Sequence, residues 1–141
     1  MFQKILLAYD GSDGAKRALA AALELAHVSH AELWALAVEE SLPRFAATID
    51  ETVEEQEFAN HYYQERLSTA YLQALQAGVE LKSVIRAGQA ARTIVNVTRE
   101  EHFDLVVLGR SRHSGEGVTF LGTTANRVSR SVVPCPVLLV S

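Results

Sequence analysis

Leu105, Val106, Val107 and Leu108 are four consecutive apolar residues, and Gly109 closes the run. A strand with one wet face would alternate apolar and polar side chains. An uninterrupted run of this length predicts instead a parallel strand covered on both faces. Behind it come Gly115, Gly117 and Gly122, and then Thr123 and Thr124 open a segment, TTANRVSRSV, that can be a helix. Strand, glycine-containing loop and helix start, in that order, are how α/β proteins build a phosphate site. Backbone N–H groups and the positive end of the helix converge there on one spot.

The remaining chain repeats the strand-then-helix theme. Lys4 to Tyr9 (KILLAY) reads as a buried strand and Asp10 to Gly14 as a turn, with Ser12 a natural N-cap. Ala15 to Ala26 places Ala18, Leu19, Ala22, Leu25 and Ala26 at helical spacing. Ala31 to Val38 is a second strand, and Ser41 to Ile49, with Pro43 and no period, a loop. The longest helical pattern is Glu51 to Ala77, with an apolar stripe through Ala59, Tyr63, Leu67, Ala70, Ala74 and Leu75. Its first turns are acidic, which suits the helix dipole, and Gly78 supplies a stop. Val79 to Arg86 is a third strand, and Ala90 to Glu101 a helix with Ile94, Val95 and Val97 apolar. A helix from about Thr124 to Val132 and a last strand, Pro136 to Val140, complete the pattern.

Five strands alternating with four helices predict a doubly wound parallel sheet with right-handed crossovers and helices on both faces. The inferred strand order is 3-2-1-4-5. Ligands of such sheets bind outside the carboxyl ends of the strands, where the order reverses. In this order the turn at Asp10 faces the loop at Gly109.

A chain of 141 residues with no linker or repeat reads as one domain able to bury a core. No apolar run approaches the length of a membrane span, and the N-terminal apolar stretch is too short for a signal peptide. A formal charge of −4 gives no support to nucleic acid as a partner, and the single Cys135 excludes a disulfide framework. A cytoplasmic protein is expected.

Across its whole length the chain resembles the universal stress protein family. The first block, KILLAYDGSDGAKRALAAALELA, is similar to that family's first strand, acidic turn and helix. The stretch RAGQAARTIVNVTREEHFDLVVLGRSRHSG is similar to its third helix and fourth strand, and FLGTTANRVSRSVVPCPVLLV to its closing helix and strand. The resemblance implies a single domain over residues 1–141 with a Rossmann-like fold, close to that of the adenine nucleotide alpha hydrolases. The nucleotide-binding branch carries Gly, two residues, Gly, nine residues, then Gly followed by Ser or Thr. Gly109 and Gly122-Thr123 fit the first and last elements, but position 112 is Arg where the second glycine would stand. The resemblance further implies that Asp10, beside Ala8 and Tyr9, holds the ribose side of an adenine nucleotide, and that the backbone of Val38 meets the adenine. Gly109 to Arg112, with Arg110 and Arg112, on one side, and Gly122, Thr123 and Thr124 on the other, would hold phosphates, and Leu108 and His113 beside them are counted among the nucleotide-binding residues. It also implies ATP (or ADP or AMP) with Mg²⁺ as the ligand and a homodimer paired through the strand at 136–140.

Arg112 leaves two readings open. A left-handed backbone at a non-glycine residue costs roughly 1–2 kcal/mol, about a tenfold loss in affinity. A micromolar site carries about 8 kcal/mol, so strain alone weakens such a site without abolishing it. The side chain can block the phosphate space, or its fork of donors can bind phosphate itself. Other features also have ordinary explanations. Asp-Gly is common turn chemistry, threonines cap helices, and Arg110, Arg112 and His113 also suit a solvated basic loop. Tyr62, Tyr63 and Tyr71 read as core, Cys135 as a buried small residue, and the other histidines as surface or helix-end residues without metal-ligand spacing. There is no GxxxxGK[ST] loop, no GxGxxG continuation and no GxSxG elbow, so turnover beyond slow ATP hydrolysis has no support. The expectation is an ATP-binding regulatory protein with an unidentified protein partner. The rivals are an interaction protein without nucleotide, favoured by Arg112, and a module carrying a flavin or another cofactor.

Overall fold

The computed structural model describes residues 1–40, 49–110 and 123–141, with side chains from 61 in the second stretch and from 124 in the third. The elements alternate strictly: β1 (Lys4–Ala8), α1 (Asp13–Ser29), β2 (Glu32–Glu39), α2 (Ile49–Gln76), β3 (Leu81–Ala87), α3 (Ala90–Glu100), β4 (Leu105–Gly109), α4 (Thr123–Arg130) and β5 (Val137–Val140). The five strands form one parallel sheet in the order β3-β2-β1-β4-β5, as expected. In register, Ile5 and Leu7 of β1 stand beside Leu33 and Ala35 of β2 on one side and Leu105 and Val107 of β4 on the other.

Side chains alternate across the sheet, and both faces are apolar because both are covered. On one face Ile5, Leu7, Leu33 and Val107 pack under α1 and α2. On the other, Leu6, Leu36, Val106 and Leu108 pack under α3 and α4. Ala15, Ala18, Leu19, Ala22, Leu23 and Ala26 make the buried stripe of α1. Small residues there let the helix lie close to the sheet. Ile94, Val95 and Val97 of α3 are all buried, as their spacing predicts.

The start of α1 is capped as the sequence indicates, and its end is closed by a residue the sequence did not mark as a cap. The Ser12 hydroxyl accepts from Ala15 N at 3.2 Å. His30 takes a left-handed backbone (φ 53°) and its N–H closes the last turn of α1. The opposite rim of the sheet is tied by the Asp104 carboxylate, which accepts from Gln3 N at 2.7 Å and Lys4 N at 3.1 Å. The Glu32 carboxylate accepts from both Trp34 Nε1 and Lys82 Nζ, and those bonds lower its pKa.

Three expectations are corrected. Leu75, placed on the apolar stripe of the long helix, is 76% exposed, whereas Leu67, Ala70 and Ala74 are buried. Tyr62 and Tyr71 are exposed rather than core. Tyr62 lies 4.2 Å under the Arg66 guanidinium, and Tyr71 shares a hydrogen bond with Ser83, so each has a polar reason to stay at the surface. Cys135 is only partly buried.

Among the described glycines the closest approach is between backbones. A Cβ on Gly109 would fall 2.1 Å from the carbonyl oxygen of Gly14, and one on Gly14 would fall 2.6 Å from that of Arg110. The first turn of α1 thus rests directly on the end of β4. Because the opposing atoms are main chain, the clash cannot be relieved by a rotamer change. Gly109→Ala is therefore expected to destabilise the fold by about 1–3 kcal/mol, the usual range for overpacking. Urea denaturation will show this as a lowered midpoint; an unchanged midpoint would contradict the contact.

Candidate functional site

The strand order reverses between β1 and β4, which leave in opposite directions: β1 to α1 on one face, β4 toward α4 on the other. A crevice must open there above the carboxyl ends of the strands. It holds a cleft of about 300 Å³, at the lower end of the range for small-molecule sites.

Its walls come from three strands and three helices. Ala8, Tyr9 and Asp10 enter from the end of β1, Val38 with Leu36 from β2, Leu108 and Gly109 from β4, and Thr124 with Ala125 from the start of α4. Seven of the residues singled out in the sequence therefore meet around one space. Ser12, Gly14 and Ala15, from the cap and first turn of α1, also line it, as do Ala90 and Ile94 of α3. The sequence marked Ser12 and Gly14 as turn residues but gave no sign that they face a ligand space. Ala90 and Ile94 read only as helix start and core, because a helix core position can also form a cleft wall.

Arg110 follows β4 directly and is held by contacts to β5 and α1. Its backbone N–H extends the β4–β5 ladder to Val140 O at 2.8 Å, and its guanidinium donates to the Ser141 hydroxyl at 3.1 Å. Its carbonyl accepts from Arg17 Nη2 at 3.2 Å. It is not among the residues lining the cleft. Arg112, His113 and Gly122 lie outside the described residues, and Thr123 is described only as the first residue of α4.

The cleft is apolar at its base and polar at its rim. Ala8, Leu36, Val38, Ile94, Leu108 and Ala125 supply carbon surface, while Asp10, Ser12 and Thr124 supply oxygens. Asp10 Oδ1 accepts from Ser12 N at 2.9 Å, a local Asx turn that fixes the carboxylate at the mouth. A carboxylate accepts at both oxygens, so Oδ2 can still meet a hydroxyl. Two residues of α2 hold the strand ends in place. Tyr63 Oη donates to Val38 O at 3.2 Å, and Arg66 Nη1 reaches Asp10 O at 3.5 Å. Gly11 between them has φ +81°, and a Cβ there would press on Arg66 at 2.7 Å. Among the described residues no group of three His, Cys, Asp or Glu is arranged to hold a metal ion, and no helix is long and apolar enough to cross a membrane.

A doubly wound parallel sheet of order 3-2-1-4-5 with a part-apolar cleft at its switch point defines an α/β protein of the Rossmann-like type. The chain belongs to the universal stress protein family, whose model matches residues 1–141. It is similar to a universal stress protein of Thermus aquaticus, 34% identical over 140 residues and covering 99% of both chains. Universal stress protein YxiE of Bacillus subtilis is also 34% identical, over 150 residues and 99% of each chain. Among solved structures, UspA from Lactobacillus plantarum superposes with a TM-score of 0.85 at 24% identity, covering 99% of this chain and 98% of that one. The Archaeoglobus fulgidus protein in complex with dAMP gives 0.71 at 22%, covering 100% and 98%. The Arabidopsis thaliana family member with AMP bound gives 0.71 at 19%, covering 98% and 90%.

The tyrosines beside the cleft offer a check on its burial. The pKa of Tyr9 is raised, first by burial and then by the neighbouring Asp10 charge. That of Tyr63 is raised, again first by burial and next by Glu39. The fold thus favours both neutral phenols. Their contribution to stability is complete below the ordinary tyrosine value and is lost as pH rises through the higher folded values. An absorbance titration of the tyrosines is expected to show two ionising late, and Tyr63→Phe should remove one of them. A late phase that Tyr63→Phe leaves intact would contradict the placement of Tyr63.

Proposed function

We propose that the cleft binds an adenine nucleotide, ATP with Mg²⁺ in the first instance and ADP or AMP by the same base and ribose contacts. The protein would act as a nucleotide-dependent regulator rather than as an enzyme of rapid turnover. The observation that carries this reading is the convergence of Asp10, Val38, Gly109 and Thr124 on one cleft from four separate parts of the chain. Membership of a family that includes proteins bound to AMP and dAMP supports it.

Each wall then has a chemical task. The carbon surface of Leu36, Val38 and Ile94 suits the faces of a purine, and Tyr63 holds the Val38 backbone that would read its edge. The Asp10 carboxylate, steadied by Ser12 N, suits ribose hydroxyls. Phosphates would lie toward Gly109 to Arg112 and Gly122 to Thr124, where the first N–H groups of α4 have no partner within the helix. Mg²⁺ would come with the nucleotide, held chiefly by phosphate oxygens. Gly109 serves two purposes in this reading: it admits the helix α1 backbone, and it leaves room for the ligand.

Calorimetric titration of nucleotide-stripped protein with Mg-ATP and with AMP tests the proposal. Micromolar binding is expected, about −8 kcal/mol. Arg112→Gly assigns the arginine: weaker binding makes Arg112 a phosphate ligand, and stronger binding makes it an obstruction. Silence from both proteins with every nucleotide would overturn the proposal in favour of a nucleotide-free interaction protein.

We further propose a homodimer through the edge strand β5. It lies at one end of the sheet, its Leu138 is exposed, and Pro134 and Pro136 guard only its start. Leu138→Lys is expected to give monomer or insoluble protein by light scattering. A soluble dimer that survives the change would refute this interface.

A further inference from the structure

Away from the cleft, α3 and α4 lie side by side on the sheet, and a groove of about 490 Å³ runs between them. Arg92 and Arg99 line it from α3, and Arg127 and Arg130 from α4, over a floor that includes Ala91 and Val95. Four of the chain's 13 basic residues thus gather on one surface of a protein with a formal charge of −4. None of the four makes an ion pair among the described residues. The nearby Glu40 carboxylate is directed elsewhere, accepting from Ala90 N at 2.7 Å.

We propose that this groove docks an acidic segment of a partner protein. Guanidinium groups, unlike lysine ammonium groups, pair with carboxylates through two parallel hydrogen bonds, and all four cations here are arginines. Arg92 and Arg99 are seven residues apart, roughly 10 Å along the helix. One small anion cannot meet both, whereas carboxylates spaced along a peptide can. Val132, 85% exposed at the rim, and the apolar floor offer a hold for side chains between the carboxylates. Nucleic acid fits less well. Among the described residues no aromatic side chain lines the groove to stack a base, and the net negative charge opposes a dense polyanion at long range.

The test uses the full-length protein and a fluorescein-labelled peptide of four Leu-Glu-Glu repeats, followed by anisotropy at low salt. Binding is expected, at least tenfold weaker when Lys replaces Glu in the peptide and at least tenfold weaker for Arg92→Glu/Arg127→Glu. The milder Arg92→Gln/Arg127→Gln should weaken it in the same direction, and it serves if the charge-reversed protein does not fold by circular dichroism. Lys16→Glu/Arg86→Glu, with the same net charge but no residue in the groove, should keep the wild-type affinity. Three results would each overturn the proposal: no binding of the peptide, equal loss in the Lys16/Arg86 control, or tighter binding of a 12-nucleotide oligothymidylate than of the peptide.

Discussion

The contact on which the molecule depends is the backbone approach between Gly14 and Gly109. In a doubly wound sheet the switch point is a place of missing packing, because the chain leaves neighbouring strands toward opposite faces. Something must set how wide the resulting crevice opens. Here the first turn of α1 is lowered directly onto the end of β4, with no side chain at either glycine to hold them apart. That closeness leaves one side of the crevice made of main chain, Ser12 and Ala15. The remaining width falls to residues of β1, β2, α3 and α4. A substitution at either glycine would both strain the core and change the shape of the cleft, so stability and site geometry are bound to the same two positions.

The two faces of the sheet solve their packing differently, and this matters for the cleft. Under α1 the helix contributes mostly alanine and the sheet contributes the bulk: Ile5, Leu7, Leu33 and Val107. Under α3 the helix contributes Ile94 and Val97 against Leu6, Leu36, Val106 and Leu108. The closer helix is the one that meets β4 through glycine. The more distant pair, α3 and α4, leaves room at its upper end for Ala90, Ile94, Thr124 and Ala125 to face a ligand space. An apolar base with polar groups only at the mouth follows, since the base is continuous with the core.

Much of this was legible in the sequence, and the failures have physical causes. The strands announced themselves because burial on both faces removes alternation; their order was an inference from the five-strand pattern, since alternation alone also suits other doubly wound orders. Leu75 misled because it was read as part of the stripe although it stands one residue past Ala74, about 100° further round the helix. Leu67, Ala70 and Ala74 take the buried face, and Leu75 turns away from it. Tyr62 and Tyr71 misled because an aromatic on a helix can be satisfied at the surface by a cation or a hydroxyl. The cleft was half legible. Residues at the ends of strands β1, β2 and β4 could be named from topology, but Ser12, Gly14 and Ile94 could not. Their part in the site depends on how close two helices come to the sheet, which is a property of packing and not of local pattern.

The cleft and the arginine groove share their walls. On α3, Ala90 and Ile94 face the cleft while Ala91, Arg92, Val95 and Arg99 face the groove. On α4, Thr124 and Ala125 face the cleft while Arg127 and Arg130 face the groove. Two ligands gripping opposite sides of one helix pair are coupled to the extent that either changes the spacing of that pair. The coupling is reciprocal by thermodynamic necessity, so a nucleotide that tightened docking at the groove would itself be held more tightly by the docked partner. Only differential contact can produce such an effect. The first turn of α4 is where it would arise, because that turn borders the cleft and leads within one further turn to Arg127. A nucleotide-dependent regulator of the kind proposed needs a route of this sort, and here it is short: a few residues along an eight-residue helix.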